Sequence, residues 1–325
     1  MPRKVEISHK TIIFAVFFLL GLWLLYFVRD IILQLFVALL LMTILEPIVA
    51  LLTKIRIPRA ISVLITYIFV LGVLGGMVAL IAPTLAAQTT NFVNTLPSYL
   101  NNIGISSVIS GDLAKGLLSQ LGGIPGEILN FTVSVFSNVV AVVTVLVFAF
   151  YMLLTHDKLK DQVGFLFGES KSQQIGRVVL AWENKLGKWA RGQLLLMFAV
   201  GLGTYIGLVL IGIPFALPLA ILAGLLEIIP ILGPIVAAIP AVIIGFGISP
   251  VIGLAVTAAS FLVHQLEGYV LVPKIMEKSV GVSPLLILVS IAIGAKLLGV
   301  MGVIISVPLV ITIQVLIKEY LIAKE

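Results

Sequence analysis

The chain has 325 residues, of which 61% are hydrophobic and 10% charged, and its mean hydropathy is +1.25. That balance excludes a soluble globular domain and points to a polytopic membrane protein. There is no cysteine, and neither HExxH nor GxxxxGK[ST] occurs, which excludes disulfides, thiolate metal sites, a zinc-protease helix and an on-board P-loop ATPase. A formal charge of +6 would suit nucleic acid in a soluble chain; here it is accounted for by loops on one side of a bilayer, and no nucleic-acid partner is expected.

Residues 1–82 read as spans 1–3. The polar segment 1–10 carries Arg3, Lys4 and Lys10 and leads into the apolar run Thr11–Val28. No small-residue cleavage site follows, since the chain continues Tyr26-Phe27-Val28-Arg29-Asp30, so this run is expected to be retained as a span. Span 2 is Ile31–Leu52, ending near Glu46-Pro47, and the basic stretch Lys54, Arg56, Arg59 follows. Glu46 is expected to stabilise that end of span 2 or to pair with Arg56. Span 3, Ile61–Ala82, contains Gly72-x-x-x-Gly76, a pattern that permits close helix packing.

Residues 83–130 are rich in Gly, Ser, Asn and Pro. A loop of that length usually carries structure of its own, and short helices at the surface or over the transport core are expected. Residues 131–155 hold span 4. Residues 156–192 are the most charged part of the chain, yet Ile175, Val178, Val179, Trp182, Leu186 and Trp189 fall on one helical face. Two readings stay open for this amphipathic helix: tryptophans at headgroup depth, or packing on the protein's own surface.

Residues 193–325 form the expected transport core: span 5 (Gln193–Ile211), a broken stretch over 218–246, span 6 (about Val251–Val270) and a second broken stretch over 283–317. The first stretch is apolar but interrupted by Pro230, Gly233 and Pro234, with one acid, Glu227. From Pro218 to Ile231 a helix rises only about 20 Å, too short for a hydrocarbon core of about 30 Å. A hairpin of two half-helices, entering and leaving by one face, fits better. Bent backbone at that depth is tolerated only where protein or water satisfies its polar groups.

Charge sets the orientation. Segments 1–10, 53–60, 155–192, 264–283 and 318–325 hold 17 of the 20 basic residues, so they belong in the cytoplasm with both termini, and 83–130 lies outside. Parity then requires 283–317 to start and end inside. It is interrupted by Gly294, Lys296, Gly299 and Gly302, so it too is expected to be a hairpin. The two hairpins share Pro218-Leu-Ala-Ile-Leu with Pro284-Leu-Leu-Ile-Leu, and Ile239-Pro240 with Val307-Pro308. Together with spans 5 and 6 they read as an inverted repeat, an architecture of secondary transporters. The expected fold is therefore an all-α polytopic membrane protein, with about six full spans and two re-entrant helical hairpins, eight hydrophobic segments in all. A multi-pass protein of a prokaryotic cytoplasmic membrane is the matching location.

The chain resembles the AI-2E family of bacterial and archaeal membrane proteins, also called PerM permease-like. The residues that carry the resemblance are Arg191-Gly192-Gln193, Ile228 to Pro234 with Ile239-Pro240, Gln265-Leu266-Glu267-Gly268, Val272 to Met276, Ser283-Pro284-Leu285, and Gly294 to Gly302 with Val307-Pro308. The specific part covers about residues 190–310. The resemblance implies a transporter: some members look like exporters of the furanone autoinducer-2, others like sodium or lithium/proton antiporters.

The candidate substrate- or ion-binding residues are Glu227, Pro230, Gly233, Pro234, Gln265, Glu267, Lys296 and Gly299. A carboxylate in hydrocarbon is expensive and needs a partner or water, so Glu227 is either an acceptor for a proton or cation or a structural acceptor at the break. Lys296 either pairs with Glu227, binds solute, or snorkels to the interface. Pro230, Gly233 and Pro234 free backbone groups that suit a cation or polar solute, or simply turn the chain. Gln265 and Glu267 gate the site or are solvated at the membrane face, and His264 is taken as incidental. Arg191 and Gln193 are expected to fix the amphipathic helix to span 5.

The leading function is a secondary transporter or exporter of a small polar solute resembling autoinducer-2, working by alternating access. The alternative is a sodium(lithium)/proton antiporter with Glu227 as its exchanging group. A non-transporting membrane scaffold is the reading from another class. No nucleophile–base pair or metal cluster is assembled by the spans, so no enzyme is expected, and no cofactor beyond a coupling H+ or Na+. The lipid bilayer, a small polar solute or a monovalent cation are the partners. Glycine faces at Gly72/Gly76 and Gly203/Gly207 leave a homo-oligomer open.

Overall fold

The computed structural model describes residues 9–103, 139–156, 169–276 and 283–322. Within them the elements are α1 (His9–Phe27), α2 (Arg29–Lys54), α3 (Arg59–Asn102), α4 (Val139–Thr155), α5 (Glu169–Ile211), α6 (Ala216–Leu226), α7 (Leu232–Ile248), α8 (Pro250–Leu266), a π-helical turn (Glu267–Leu271), α9 (Val272–Met276) and α10 (Pro284–Ile322). Among the described residues every regular element is helical, as a chain must be when no water is at hand to satisfy its backbone. Five segments are long and apolar enough to cross a membrane: Arg29–Lys54, Arg59–Leu96, Ile175–Ile211, Pro250–Met276 and Leu285–Lys318. The shorter apolar helices are Val140–Thr155, Ala216–Leu226 and Leu232–Ile248. Side chains such as Phe69, Leu80, Leu210 and Phe261 face outward, the pattern of a surface solvated by lipid rather than water. The protein is an integral membrane protein. The expected helices of 104–130, the start of span 4 and the polar residues 277–282 lie outside the described residues.

Two helices run further than the hydropathy suggests. α3 has 44 residues, roughly 66 Å of rise and about twice the hydrocarbon thickness. Its far half packs Phe92, Leu96 and Leu100 onto Ile213, Ala216, Leu219, Ala241 and Ile244, and Asn102 Nδ2 donates to the Gly247 carbonyl at 3.1 Å. So residues 83–102 cover the open end of α6 and α7. α5 has 43 residues and passes through Gln193 without a break. Its amphipathic half lies on α10: Leu186 and Trp189 pack with Val307, Ile311 and Val315, Trp182 Nε1 donates to Thr312 Oγ1 at 2.8 Å, and Lys185 Nζ donates to Gln314 Oε1 at 2.7 Å. Packing on the protein itself therefore occupies this face.

α2, α3 and α4 form a separate bundle around Met42, Leu45, Val49, Val63, Tyr67 and Leu153. Glu46 pairs with Arg59 at 2.8 Å rather than with Arg56, because Arg56 sits in the tight turn before α3 with φ 68. Arg59 Nε also donates to the Leu153 carbonyl at 2.8 Å, so one guanidinium ties three helices together. Gly203 and Gly207 pack on Val263 and Ala259 of α8, whereas Gly72 and Gly76 have open space beside them.

α6 and α7 form an antiparallel hairpin. Ala216 and Leu219 share a cluster with Ala241 and Ile244, and Ala223 meets Ala237 nearer the turn. α10 is also two limbs, because its helical geometry breaks at Gly299 (φ 60, ψ −139). Gly294 and Gly302 would be about 12 Å apart in a straight helix. Instead a Cβ on either one would run into the other's backbone, and Ser306 Oγ donates to the Ser290 carbonyl at 2.9 Å. The hairpins share a register: the helix starts Ala216 and Pro284, the positive-φ residues Ile231 and Gly299, and the prolines Pro240 and Pro308 are each separated by 68 residues.

Gly302→Val should therefore force the limbs of α10 apart and cost about 1–3 kcal/mol or more. Gly76→Val, which meets nothing, should cost far less. Thermal unfolding of both variants in detergent checks this, and equal losses would contradict the fold-back.

Candidate functional site

The turn between α6 and α7 builds the site. α6 ends at Glu227, whose N–H donates to the Ala223 carbonyl at 3.1 Å. The next two N–H groups bond to carbonyls three residues back, Ile228 to Leu225 and Ile229 to Leu226, which tightens the last turn. Pro230 cannot extend the helix, and Ile231 reverses the chain at φ 71, ψ −52. A β-branched residue is strained there, and such strain persists only where the surroundings hold it. Gly233 then opens α7 directly beneath the Leu226 carbonyl, with no room for a Cβ. Pro234 falls in the first turn of α7, where a missing N–H costs nothing.

Carbonyls freed by such a break need donors at membrane depth. Gln193 Nε2 donates to the Glu227 carbonyl at 2.7 Å. Two residues earlier on α5, Arg191 Nη1 donates to the Thr43 carbonyl of α2 at 2.6 Å. α5 thus holds the scaffold on one face and the hairpin tip on the other. Gly192 between them packs against Ile275 and Met276 of α9.

The carboxyl groups complete the site. Glu227 is 2% exposed and Glu267 is 6% exposed, and their side chains face each other within hydrogen-bonding reach. Glu227 Oε2 is buried without a hydrogen-bond partner among the described residues. Glu267 opens the π-helical turn, a distortion common at functional sites, and its Oε2 lies 3.0 Å from His264 Nδ1. Among the described residues neither carboxylate is paired with a lysine or arginine. Two buried anions side by side repel, so the pair does not hold two full negative charges in this setting without a proton or counter-ion.

Of the sequence candidates, the structure brings together Glu227, Pro230, Gly233, Pro234 and Glu267. Gln265 is half-buried beside them. Lys296 and Gly299 are exposed near the turn of α10, and no ion pair joins Lys296 to Glu227. Arg191 and Gln193 do not merely fix a helix to span 5, since both belong to that one helix and brace its neighbours. Gln193 and His264 are the residues that sequence reasoning missed. The signal for Gln193 was its presence in the Arg191-Gly192-Gln193 motif; for His264 it was the i, i+3 spacing to Glu267.

A second polar cluster lies across α5. His156 Nε2 is 3.0 Å from Glu183 Oε2, and its Nδ1 is 3.7 Å from Glu46 Oε1. With Thr43, Asn184 and Arg191 they line a cavity of about 260 Å³.

The family model of AI-2E family transporters matches residues 12–322. The chain belongs to the AI-2E family. Among similar AI-2E proteins is one of Bacillus subtilis (strain 168) named "Putative transport protein YueF", 30% identical over 81% of this chain and 77% of that one. A second from the same organism, "Putative transport protein YrrI", is 26% identical over 81% and 79%. The Escherichia coli (strain K12) protein named "Putative transport protein YhhT" is 36% identical over 35% and 33%. The AI-2E assignment makes this chain a membrane transporter.

Replacing Gln193 by leucine keeps its bulk but leaves the Glu227 carbonyl without its donor. The expected cost is about 1–3 kcal/mol, read as a lowered unfolding temperature in detergent. An unchanged transition would show that the tip does not depend on this bond.

Proposed function

We propose that the chain is a secondary transporter whose coupling site is the Glu227–Glu267 carboxyl pair, exchanging a proton for a monovalent cation such as sodium or lithium. The observation that carries this reading is the buried apposition of two acids with no lysine or arginine partner among the described residues. Such a pair is stable with one proton or one cation between its oxygens and unstable with neither. One occupant therefore has to leave as the other arrives, which is the condition for exchange.

In this reading the protein lies in the cytoplasmic membrane of a prokaryote, with both termini inside. α6–α7 and the two limbs of α10 are re-entrant hairpins of an inverted repeat, supported by their common 68-residue register. α6–α7 is the moving part. It is short and broken, its tip is braced by one side-chain bond from Gln193, and its open end is covered by α3. The bundle of α2, α3 and α4 is the frame, and α5 links frame and tip.

A second reading is favoured by the cavity of about 260 Å³ between α2 and α5. Its mixed acidic, imidazole and amide lining suits a small polar solute, of the autoinducer-2 kind that the family is named for. Exchange at the carboxyl pair would then drive export of that solute.

The test uses purified protein in liposomes with a trapped pH dye. Adding sodium or lithium outside should drive a proton flux in wild type, reduced about a hundredfold or more in Glu227→Gln and Glu267→Gln, the scale of a lost proton-transfer group. Undiminished flux in both variants would remove the pair from the mechanism. No flux in the wild type would shift the case to solute export, measured next with a labelled furanone.

A further inference from the structure

We propose that His264 is the proton port of this site, the group through which protons pass between water and the Glu267–Glu227 pair. The inference rests on the coupling role given to that pair above and adds its route to solvent. Three titratable side chains stand in a row, and their exposure falls along it. The His264 side chain is 39% exposed and that of Glu267 8%, while Glu227 is 2% exposed. The ring is held edge-on to the acid, with Nδ1 3.0 Å from Glu267 Oε2. Nε2, on the far edge of the ring, is left for water.

The surroundings offer no competing route. α7, which packs along α8, carries no titratable residue. On α5 the groups against α8 are Gly203 and Gly207, which meet Val263 and Ala259. Glu227 comes from the end of α6, and Lys274 on α9 is exposed. Among the described residues the one ion pair in this row is His264 with Glu267. Exposure sets the ring apart: the His264 side chain is only part-buried, whereas Glu227 and Glu267 are buried.

The transfer balances without any other reactant. A water-borne proton binds Nε2, the Nδ1 proton passes to Glu267 Oε2, and the Glu267 carboxyl hands a proton to Glu227. The ring is left neutral with its proton on Nε2, and it resets by releasing that proton to water and taking another from water at Nδ1, so that each cycle delivers one proton to the pair. The π-helical turn that starts at Glu267 sets the acid's backbone off the regular α-helical spacing.

The experiment uses the full chain in liposomes and compares wild type, Glu267→Gln, His264→Gln and His264→Ala. Two readouts are taken: sodium-driven proton flux, and sodium-dependent thermal stabilisation as a measure of cation binding. His264→Gln keeps a polar neighbour for Glu267 but cannot relay a proton. It should slow the flux about tenfold or more while sodium still stabilises the protein as in wild type. Free imidazole should restore flux to His264→Ala and leave His264→Gln and Glu267→Gln unchanged. If flux in His264→Gln stays within about twofold of wild type while Glu267→Gln is inactive, the port is refuted and the coupling pair stands. If His264→Gln loses sodium stabilisation together with flux, the ring merely positions Glu267 and the port is likewise refuted. Absence of sodium-driven flux in wild type would overturn both the pair and the port.

Discussion

The architecture around the hairpin tip turns on two buried carboxyl groups brought together, neither of them paired with a lysine or arginine among the described residues. A single buried acid in an apolar bundle finds a backbone donor or stays near the interface. Here Glu227, at the end of a half-helix, meets Glu267, at the start of a π-helical turn. The surrounding structure is arranged to keep them apposed. Gln193 holds the tip from α5, Gly233 lets α7 begin beneath α6, and Ile231 accepts an unfavourable backbone to make the turn. Strain of that kind costs of order 1–3 kcal/mol, so it marks a position that packing holds in place.

The architecture divides labour along α5. Its first half lies on α10, its middle grips α2 through Arg191 and the hairpin tip through Gln193, and its last turns pack on α8 through Gly203 and Gly207. A displacement of the tip is therefore felt by the frame through one helix. The same helix has the 260 Å³ cavity on its α2 side. Arg191 lines that space, and Gln193, two residues on, braces the hairpin tip.

Much of this was legible in the sequence because membrane physics is coarse. Hydropathy places the spans, and prolines and glycines too close together for a crossing helix place the turns of α6–α7 and α10. What was not legible concerns contacts between distant residues. Glu227 and Glu267 are 40 positions apart, and only the hairpin's reversal and the descent of α8 bring them together. His264 meets Glu267 at i, i+3, a contact that the isolated histidine does not announce. Glu46 finds Arg59 because the turn at Arg56 aims that nearer cation elsewhere. The sequence of 83–102 suggests short separate helices rather than one extension of α3, because its Asn, Thr and Pro content interrupts the hydropathy. Tertiary packing of Phe92, Leu96 and Leu100 overrides the weak helix propensity there. Lys296 matched Glu227 in position along its hairpin, but the two turns are not in contact.

The most direct measurement of the central claim is hydrogen–deuterium exchange at the α6–α7 tip, residues 228–233, followed from acidic to alkaline pH with and without sodium. If the carboxyl pair is held by a proton or a cation, protection there, taken relative to the intrinsic exchange rate at each pH, should fall at alkaline pH without sodium and recover when sodium is added. Both changes should be absent in Glu227→Gln. Protection at the tip that ignores both pH and sodium in the wild type would contradict the account.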